Sequence, residues 1–301
     1  MIDGHTHMLL GSDGPGSRRE SVADLKEIDF AELFEKMDEA GIDMMVSVVQ
    51  ETMRVWKDWT GSNELAIDLQ EKFPDRILGV FGAEPLDDRD LFNRKRLSEF
   101  KSAVREHGIR ALGLVPPYGH FQANDRRVYP YYEAATELDV AVYFHHGGGV
   151  GGGGGAAYRA PLKYARPILL DDVVIDFPDL RIHVEHMAYP WTEELLALMK
   201  HAPNVYTDVT ELFSRPTTLA WYLMMAKEYG VIDRVVWGSD YDVLWYPERG
   251  LAGYFEKVER ETSWLRTELN QTLSRCGWPT LSQSEIDGIL GTNARRFLRL
   301  T

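Results

Sequence analysis

The feature that most constrains this chain is an ordered alternation of short β-branched runs with longer amphipathic ones, with Gly, Pro or Asp at the junctions. Eight such pairs run in sequence. Strands are expected at residues 1–3, 42–49, 77–83, 109–115, 140–144, 181–185, 205–209 and 235–238. Helices are expected at 30–40, 63–73, 91–107, 131–138, 168–177, 191–200, 217–229 and 251–265, and a last amphipathic segment at 284–300. In the first helix Phe30, Leu33, Phe34 and Met37 share one face, and Gly41 ends it. Strict strand-then-helix order requires parallel strands joined by right-handed crossovers. Eight units over roughly 240 residues favour a closed ring over an open sheet. The predicted class is therefore α/β, a (β/α)8 TIM barrel. No composition break marks a linker, so one domain is expected over residues 1–301. A doubly wound open sheet satisfies the same periodicity, and the chemistry at the strand ends has to decide between them.

Nine histidines occur, and several fall where strands end. His5 and His7 follow the first strand. Side chains on a strand repeat every two residues, so both imidazoles face the same side. His145 and His146 end the fifth strand, His186 the sixth and Asp240 the eighth, and a barrel gathers all these ends at one mouth. Neutral imidazoles with a carboxylate make a donor set for one divalent ion, Zn2+ first, with Mn2+, Fe2+ or Ni2+ as alternatives. By the same alternation His145 and His146 point oppositely, and either could be the ligand. On the sixth strand His186 pairs with Val184, whereas His183 and Glu185 face the other way, so His183 is expected to be structural or helix-facing.

Five segments follow one family in order: Ile2-Asp3-Gly4-His5-Thr6-His7, Phe144-His145-His146-Gly147, His186-Met187-Ala188-Tyr189-Pro190-Trp191, Gly238-Ser239-Asp240-Tyr241 and Gly291-Thr292-Asn293-Ala294-Arg295-Arg296. The chain resembles the amidohydrolase superfamily from residue 2 to about residue 298. More narrowly it is similar to the branch of TIM-barrel metal-dependent hydrolases that includes decarboxylases of aminocarboxymuconate semialdehyde and hydroxybenzoates. The resemblance implies that His5, His7, His145 and Asp240 hold the metal and that His186 transfers protons beside it. Its His-x-Gly pattern selects His145 through Gly147. Subtypes with a bridged metal pair need a lysine ending the fourth strand, but that strand reads Ala111-Leu112-Gly113-Leu114-Val115 and is followed by Pro116-Pro117, so a single ion is expected. Many relatives have Tyr-Pro after the aspartate, whereas this chain has Tyr241-Asp242-Val243. The arginines of the last segment are expected to anchor the final helix.

A mononuclear ion with an open position lowers the pKa of bound water toward ~7, which makes hydrolysis of a small organic substrate the first functional expectation. Asp240 and His186 would then be the catalytic pair. The alternative at the same site is non-oxidative decarboxylation, with the ion chelating a substrate carboxylate. A non-catalytic barrel that only binds a metabolite is a third reading, disfavoured because every matching position keeps a coordinating or ionisable side chain.

Trp56, Trp59, Tyr118, Phe121, Trp191, Trp245 and Tyr246 all follow strands and suggest an aromatic-walled pocket. Of these Tyr118, Phe121 and Trp191 are the expected substrate contacts, with Arg159 as a carboxylate clamp; Arg54 and Arg215 are further cations of that kind. His120 is expected near the mouth but outside the catalytic set. The stretch 147–155, glycine except for Val150, reads as a loose loop or lid rather than a phosphate cradle, because no helix begins directly behind it.

Composition narrows the partners. With 33 Lys and Arg against 47 Asp and Glu, the formal charge is −14, which opposes binding to nucleic acid or an anionic membrane. Cys276 stands alone, so no internal disulfide can form, and with no apolar run near the roughly 20 residues of a membrane helix a cytoplasmic location is expected. Partners are expected to be a small-molecule substrate and a homo-oligomeric copy.

Overall fold

The computed structural model describes residues 1–7, 20–26, 28–50, 53–56, 62–146, 159–242 and 250–300. Eight parallel strands stand in sequence order: β1 (Ile2–Thr6), β2 (Met44–Val48), β3 (Ile77–Ala83), β4 (Ala111–Leu114), β5 (Ala141–Phe144), β6 (Ile182–Val184), β7 (Val205–Asp208) and β8 (Val235–Val236). The ring closes between β8 and β1 through Gly4 N to Trp237 O at 3.1 Å, Asp240 N to His5 O at 2.7 Å and His7 N to Tyr241 O at 2.9 Å. The chain is thus a single-domain (β/α)8 barrel, and the open-sheet alternative is excluded. Closure depends on two glycines. A Cβ on Gly4 would stand 2.6 Å from Val236 Cγ1, and one on Gly238 would stand 2.7 Å from the His5 Cβ.

One principal helix follows each strand: α1 (Phe30–Ala40), α2 (Asn63–Lys72), α3 (Arg94–His107), α4 (Tyr129–Glu137), α5 (Asp171–Asp176), α6 (Thr192–His201), α7 (Pro216–Glu228) and α8 (Gly250–Ser263). Their ends follow local chemistry. Asp29 accepts from the amides of Ala31 and Glu32 to start α1, and Gly41, at φ 70°, ends it as expected. The sequence reading ends β1 three residues early and does not resolve Leu269–Arg275, which continues α8 beyond a π turn at Trp264–Glu268.

Two apolar layers hold the ring. The larger lies between strands and helices; the smaller fills the barrel interior with Ile2, Val46, Val48, Leu78, Val80, Tyr143, Tyr206 and Val236. The final helix, Asn293–Leu298, plugs this interior from the N-terminal end of the strands. Phe297 packs 4.9 Å from Tyr206 and 5.7 Å from Tyr143 between ring centroids. Its arginines do anchor it: Arg295 donates to Asp43 at 2.6 Å, and Arg296 to the Tyr206 hydroxyl at 3.2 Å. With one end plugged, polar groups are left to the opposite end, where the strands finish. Among the described residues no helix is long and apolar enough to cross a membrane.

Candidate metal centre

At the C-terminal ends of the strands His5, His7 and Asp240 converge. His5 Nε2 lies 3.1 Å from His7 Nε2, and Asp240 Oδ1 lies 3.4 Å from the first and 3.1 Å from the second. The other ring nitrogens settle the proton positions. His7 Nδ1 donates to the Val48 carbonyl at 2.8 Å, and His5 Nδ1 donates to Asp208 Oδ2 at 3.0 Å. Each ring therefore uses Nδ1 as a donor and turns Nε2 toward the other, so that Nε2 is the atom left to take a proton or a metal ion. Two unprotonated nitrogens and a carboxylate oxygen repel one another unless a proton or a metal ion lies among them, and water is nearly excluded, since His5 is fully buried and His7 is 4% exposed. A cation removes the conflict. Separations of 3.1 to 3.4 Å between donors are what bonds of ~2.1 Å at right or tetrahedral angles produce. The three residues form a group able to hold a metal ion.

The electrostatics agree. Burial disfavours charge on His5, but Glu185, Asp240 and Asp208 outweigh it and raise the imidazole to about 10. Burial likewise opposes ionisation of Asp240, yet His5, His7 and His186 hold its carboxyl far below the usual range. The pocket concentrates negative charge and draws a positive one.

A second group adjoins the first. His145 Nδ1 donates to Glu185 Oε2 at 2.7 Å, and His186 Nε2 lies 3.4 Å from the same nitrogen. Burial pushes the Glu185 carboxyl up, but His5 and His145 bring it down to about 2, so it is an ionised acceptor. That leaves His145 Nε2 buried with no partner, a donor atom of the kind a metal takes. His145 does not fall within the His5, His7 and Asp240 cluster; it groups with Glu185 and His186 beside it. His186 Nδ1 bonds the Thr210 hydroxyl at 2.6 Å, and burial lowers its pKa to about 4, with Asp240 opposing and His145 reinforcing the shift.

His146 points away from this assembly, as strand alternation requires: it packs on Phe144 at 5.6 Å, and burial lowers its pKa to about 3. His183 is structural but not helix-facing. It lies inside the barrel, stacked on Tyr143 at 4.4 Å, with Nε2 bonded to Asp208 at 2.8 Å.

Two carboxylates beside this centre escape sequence reasoning. Glu185 was expected opposite His186, but β6 ends at Val184, and His186, Met187 and Ala188 then take left-handed φ of 59°, 49° and 48°. This turn brings Glu185 and His186 to the same side. Asp208, at the end of β7, is fully buried and bonded to both His5 and His183, but no spacing motif singles it out. An aspartate ending a strand in a ring that already supplies histidines was the available signal.

The remaining expectations divide. Tyr118 is buried and stacked against His145 at 5.3 Å. Phe121, expected on the substrate wall, is buried among the apolar side chains of the strand–helix layer. Trp191 is half-buried ahead of α6. Arg159 is exposed at the mouth, where its carbonyl bonds His120 Nε2 at 2.5 Å. Arg54 is no carboxylate clamp, because its guanidinium is bound to Asp90 and the Asp87 carbonyl. Arg215 lies over the Tyr189 ring at 5.2 Å. β4 carries no lysine. The side chain of Trp56, together with Trp59, residues 147–155, Trp245 and Tyr246, lies outside the described residues.

Comparison with known proteins places this geometry. Residues 2–300 match the amidohydrolase family. A search of curated proteins finds no match. Among solved structures the chain is similar to a TIM-barrel protein of Bordetella bronchiseptica, with 23% identity, 93% of this chain and 86% of that one covered, and a TM-score of 0.65. It is also similar to 4-oxalomesaconate hydratase from Rhodopseudomonas palustris, at 20% identity, 99% and 95% coverage and a TM-score of 0.61. A third is 5-carboxyvanillate decarboxylase from Novosphingobium aromaticivorans in complex with manganese and 4-hydroxy-3-methoxy-5-nitrobenzoic acid, at 16% identity, 92% and 81% coverage and a TM-score of 0.57. With a family match over nearly its whole length, on a barrel whose strand ends bring two imidazoles and a carboxylate to one point, the chain belongs to the amidohydrolase family.

Proposed function

We propose that the protein is a metal-dependent enzyme that removes carbon dioxide, without oxidation, from a small carboxylate carrying a neighbouring hydroxyl. The observation that carries the metal is the convergence of His5 Nε2, His7 Nε2 and Asp240 Oδ1, 3.1 to 3.4 Å from one another. In this reading His5, His7 and Asp240 hold one divalent ion, and His145 brings its unpartnered Nε2 as the fourth donor. Zn2+ and Mn2+ both suit imidazole and carboxylate donors. Bound there, the ion supplies Lewis acidity toward the substrate carboxylate and its hydroxyl.

The chain's own residues handle the proton. His186 enters neutral, its pKa near 4, with its proton on Nδ1 toward Thr210 and its lone pair on Nε2. Nε2 takes the hydroxyl proton of the substrate and returns it to the carbon that loses carbon dioxide. The C–C electron pair becomes the new C–H bond, the hydroxyl is left as its anion, and one solvent proton restores it. Burial of His186, His145 and Tyr118 keeps bulk water from competing for that proton. Tyr118 and Trp191 are the aromatic contacts of this reading, and Arg159 is the cation at the mouth. The activity of the similar decarboxylase supports the choice.

Hydrolysis is the second reading, favoured by the same neutral His186, which suits a general base. Incubation of metal-loaded protein with hydroxybenzoate-type carboxylates should release carbon dioxide in step with substrate loss. Turnover of lactones or amides with no carbon dioxide from any carboxylate would overturn the decarboxylase reading.

A further inference from the structure

Asp208 is the most heavily bonded side chain near the centre. Its Oδ2 accepts from His5 Nδ1 at 3.0 Å and His183 Nε2 at 2.8 Å. Its Oδ1 accepts from the His186 amide at 2.8 Å, the Thr210 amide at 3.1 Å and the Thr210 hydroxyl. All of this is buried away from water. Each bond fixes something different. The bond to His5 turns the other nitrogen of that ring to His7 and Asp240. The amide bond to His186 pins the first residue of three consecutive left-handed ones, a conformation that residues with a Cβ avoid unless held. Because the Thr210 hydroxyl donates to Asp208, it can only accept from His186, which puts the imidazole proton on Nδ1 and the lone pair on Nε2.

We infer that Asp208 is a positioning residue that couples occupation of the metal centre to the orientation and tautomer of His186. This rests on the proposed reading of His5 as a metal ligand. An ion on His5 Nε2 withdraws electron density from the ring and makes Nδ1–H a stronger donor, which draws Asp208 more firmly into place. The same carboxylate then holds the His186 amide and, through Thr210, the His186 ring. The proton carrier is set when the ion is in place. Thr210 carries only the second half of this link, because it touches His186 and not His5.

The test is nitrogen-15 NMR of the imidazoles during titration of the full chain with Zn2+, alongside calorimetric Zn2+ affinity. In the wild type, His186 should hold the Nδ1–H tautomer, and its resonances should shift and sharpen as one equivalent binds. Asp208→Asn should lower Zn2+ affinity about 10- to 100-fold and leave His186 in mixed tautomers that ignore the ion. Thr210→Val should keep Zn2+ affinity while losing the single tautomer, and it decides the matter if Asp208→Asn does not fold. Zn2+ uptake with a His186 signal that never responds, or a Thr210→Val protein with an unchanged His186 tautomer, would overturn the inference. Absence of Zn2+ binding to the wild type would instead sink the functional reading beneath it.

Discussion

His5 Nε2 and His7 Nε2 stand 3.1 Å apart beside the Asp240 carboxylate, an arrangement that holds a positive charge, a proton or a metal ion, among the three. The consequence can be measured. His5→Ala should remove one lone pair and Asp240→Asn one charge, so each purified variant should carry little metal by elemental analysis and show no turnover. His186→Asn should behave differently. His186 lies beside the three-residue cluster, so metal content should stay at the wild-type level while turnover falls by at least about 100-fold, the usual worth of a positioned acid or base. Full activity in His186→Asn would remove it from the mechanism. His5 and His7 were legible in the sequence because they sit in and just past β1, where a two-residue period fixes direction; Asp240, beyond β8 and left-handed at φ 50°, was assigned as a ligand through the family resemblance. Glu185 was not legible, because β6 ends at Val184 and the chain turns left-handed at His186, so strand alternation no longer relates the two side chains. Phe121, buried in the strand–helix layer, marks a related limit: position after a strand says which end of the barrel a side chain occupies, not whether it turns into the mouth or back beneath the helices.

Elements place these residues by closing the ring, and the weakest join is the short β8 against β1. Gly238 makes that join, since a Cβ there would meet the His5 Cβ at 2.7 Å and the His5 amide at 2.8 Å. Backbone and a short stem cannot swing aside as a flexible chain end would. Gly238→Ala should cost about 1 to 3 kcal/mol in urea unfolding and, because the displaced atoms are those of a proposed ligand, weaken metal affinity as well. A variant as stable as the wild type with unchanged affinity would show that β8 does not set the position of His5. At this scale the sequence was informative wherever capping and period agreed. Residues 30–40 were foreseen to the residue because an apolar stripe ends on a glycine that must be left-handed. β6 and β8 were overextended, because a buried apolar run looks the same whether its last residues pair or turn.

Across the whole molecule, acidic groups outnumber basic ones by 14, and several of the acids are buried around the barrel. Glu185 and Asp208 are held ionised by histidines, whereas burial pushes Asp3 and Glu261 up. Glu261 lies between α8 and the barrel, 1% exposed, with Lys257 Nζ at 2.9 Å and Trp237 Nε1 at 3.3 Å. Burial dominates and pushes its carboxyl up to about 7, with Lys257 and Trp237 opposing the shift. The folded chain therefore holds this proton where the unfolded chain has released it. Stability from this group is full below pH ~4.5, declines as pH rises toward 7, and is level above that. A shift of that size corresponds to roughly 3 kcal/mol. Other groups titrate over the same interval and the net charge grows more negative, so the wild-type curve alone does not isolate Glu261. The difference from Glu261→Gln does, since Lys257 stays protonated throughout and contributes a constant offset. Urea unfolding of both proteins at pH 5 and pH 8 should show the glutamine variant gaining on the wild type by a few kcal/mol at the higher pH. An equal difference at both values would mean that Glu261 is ionised in the fold and that Lys257 outweighs its burial.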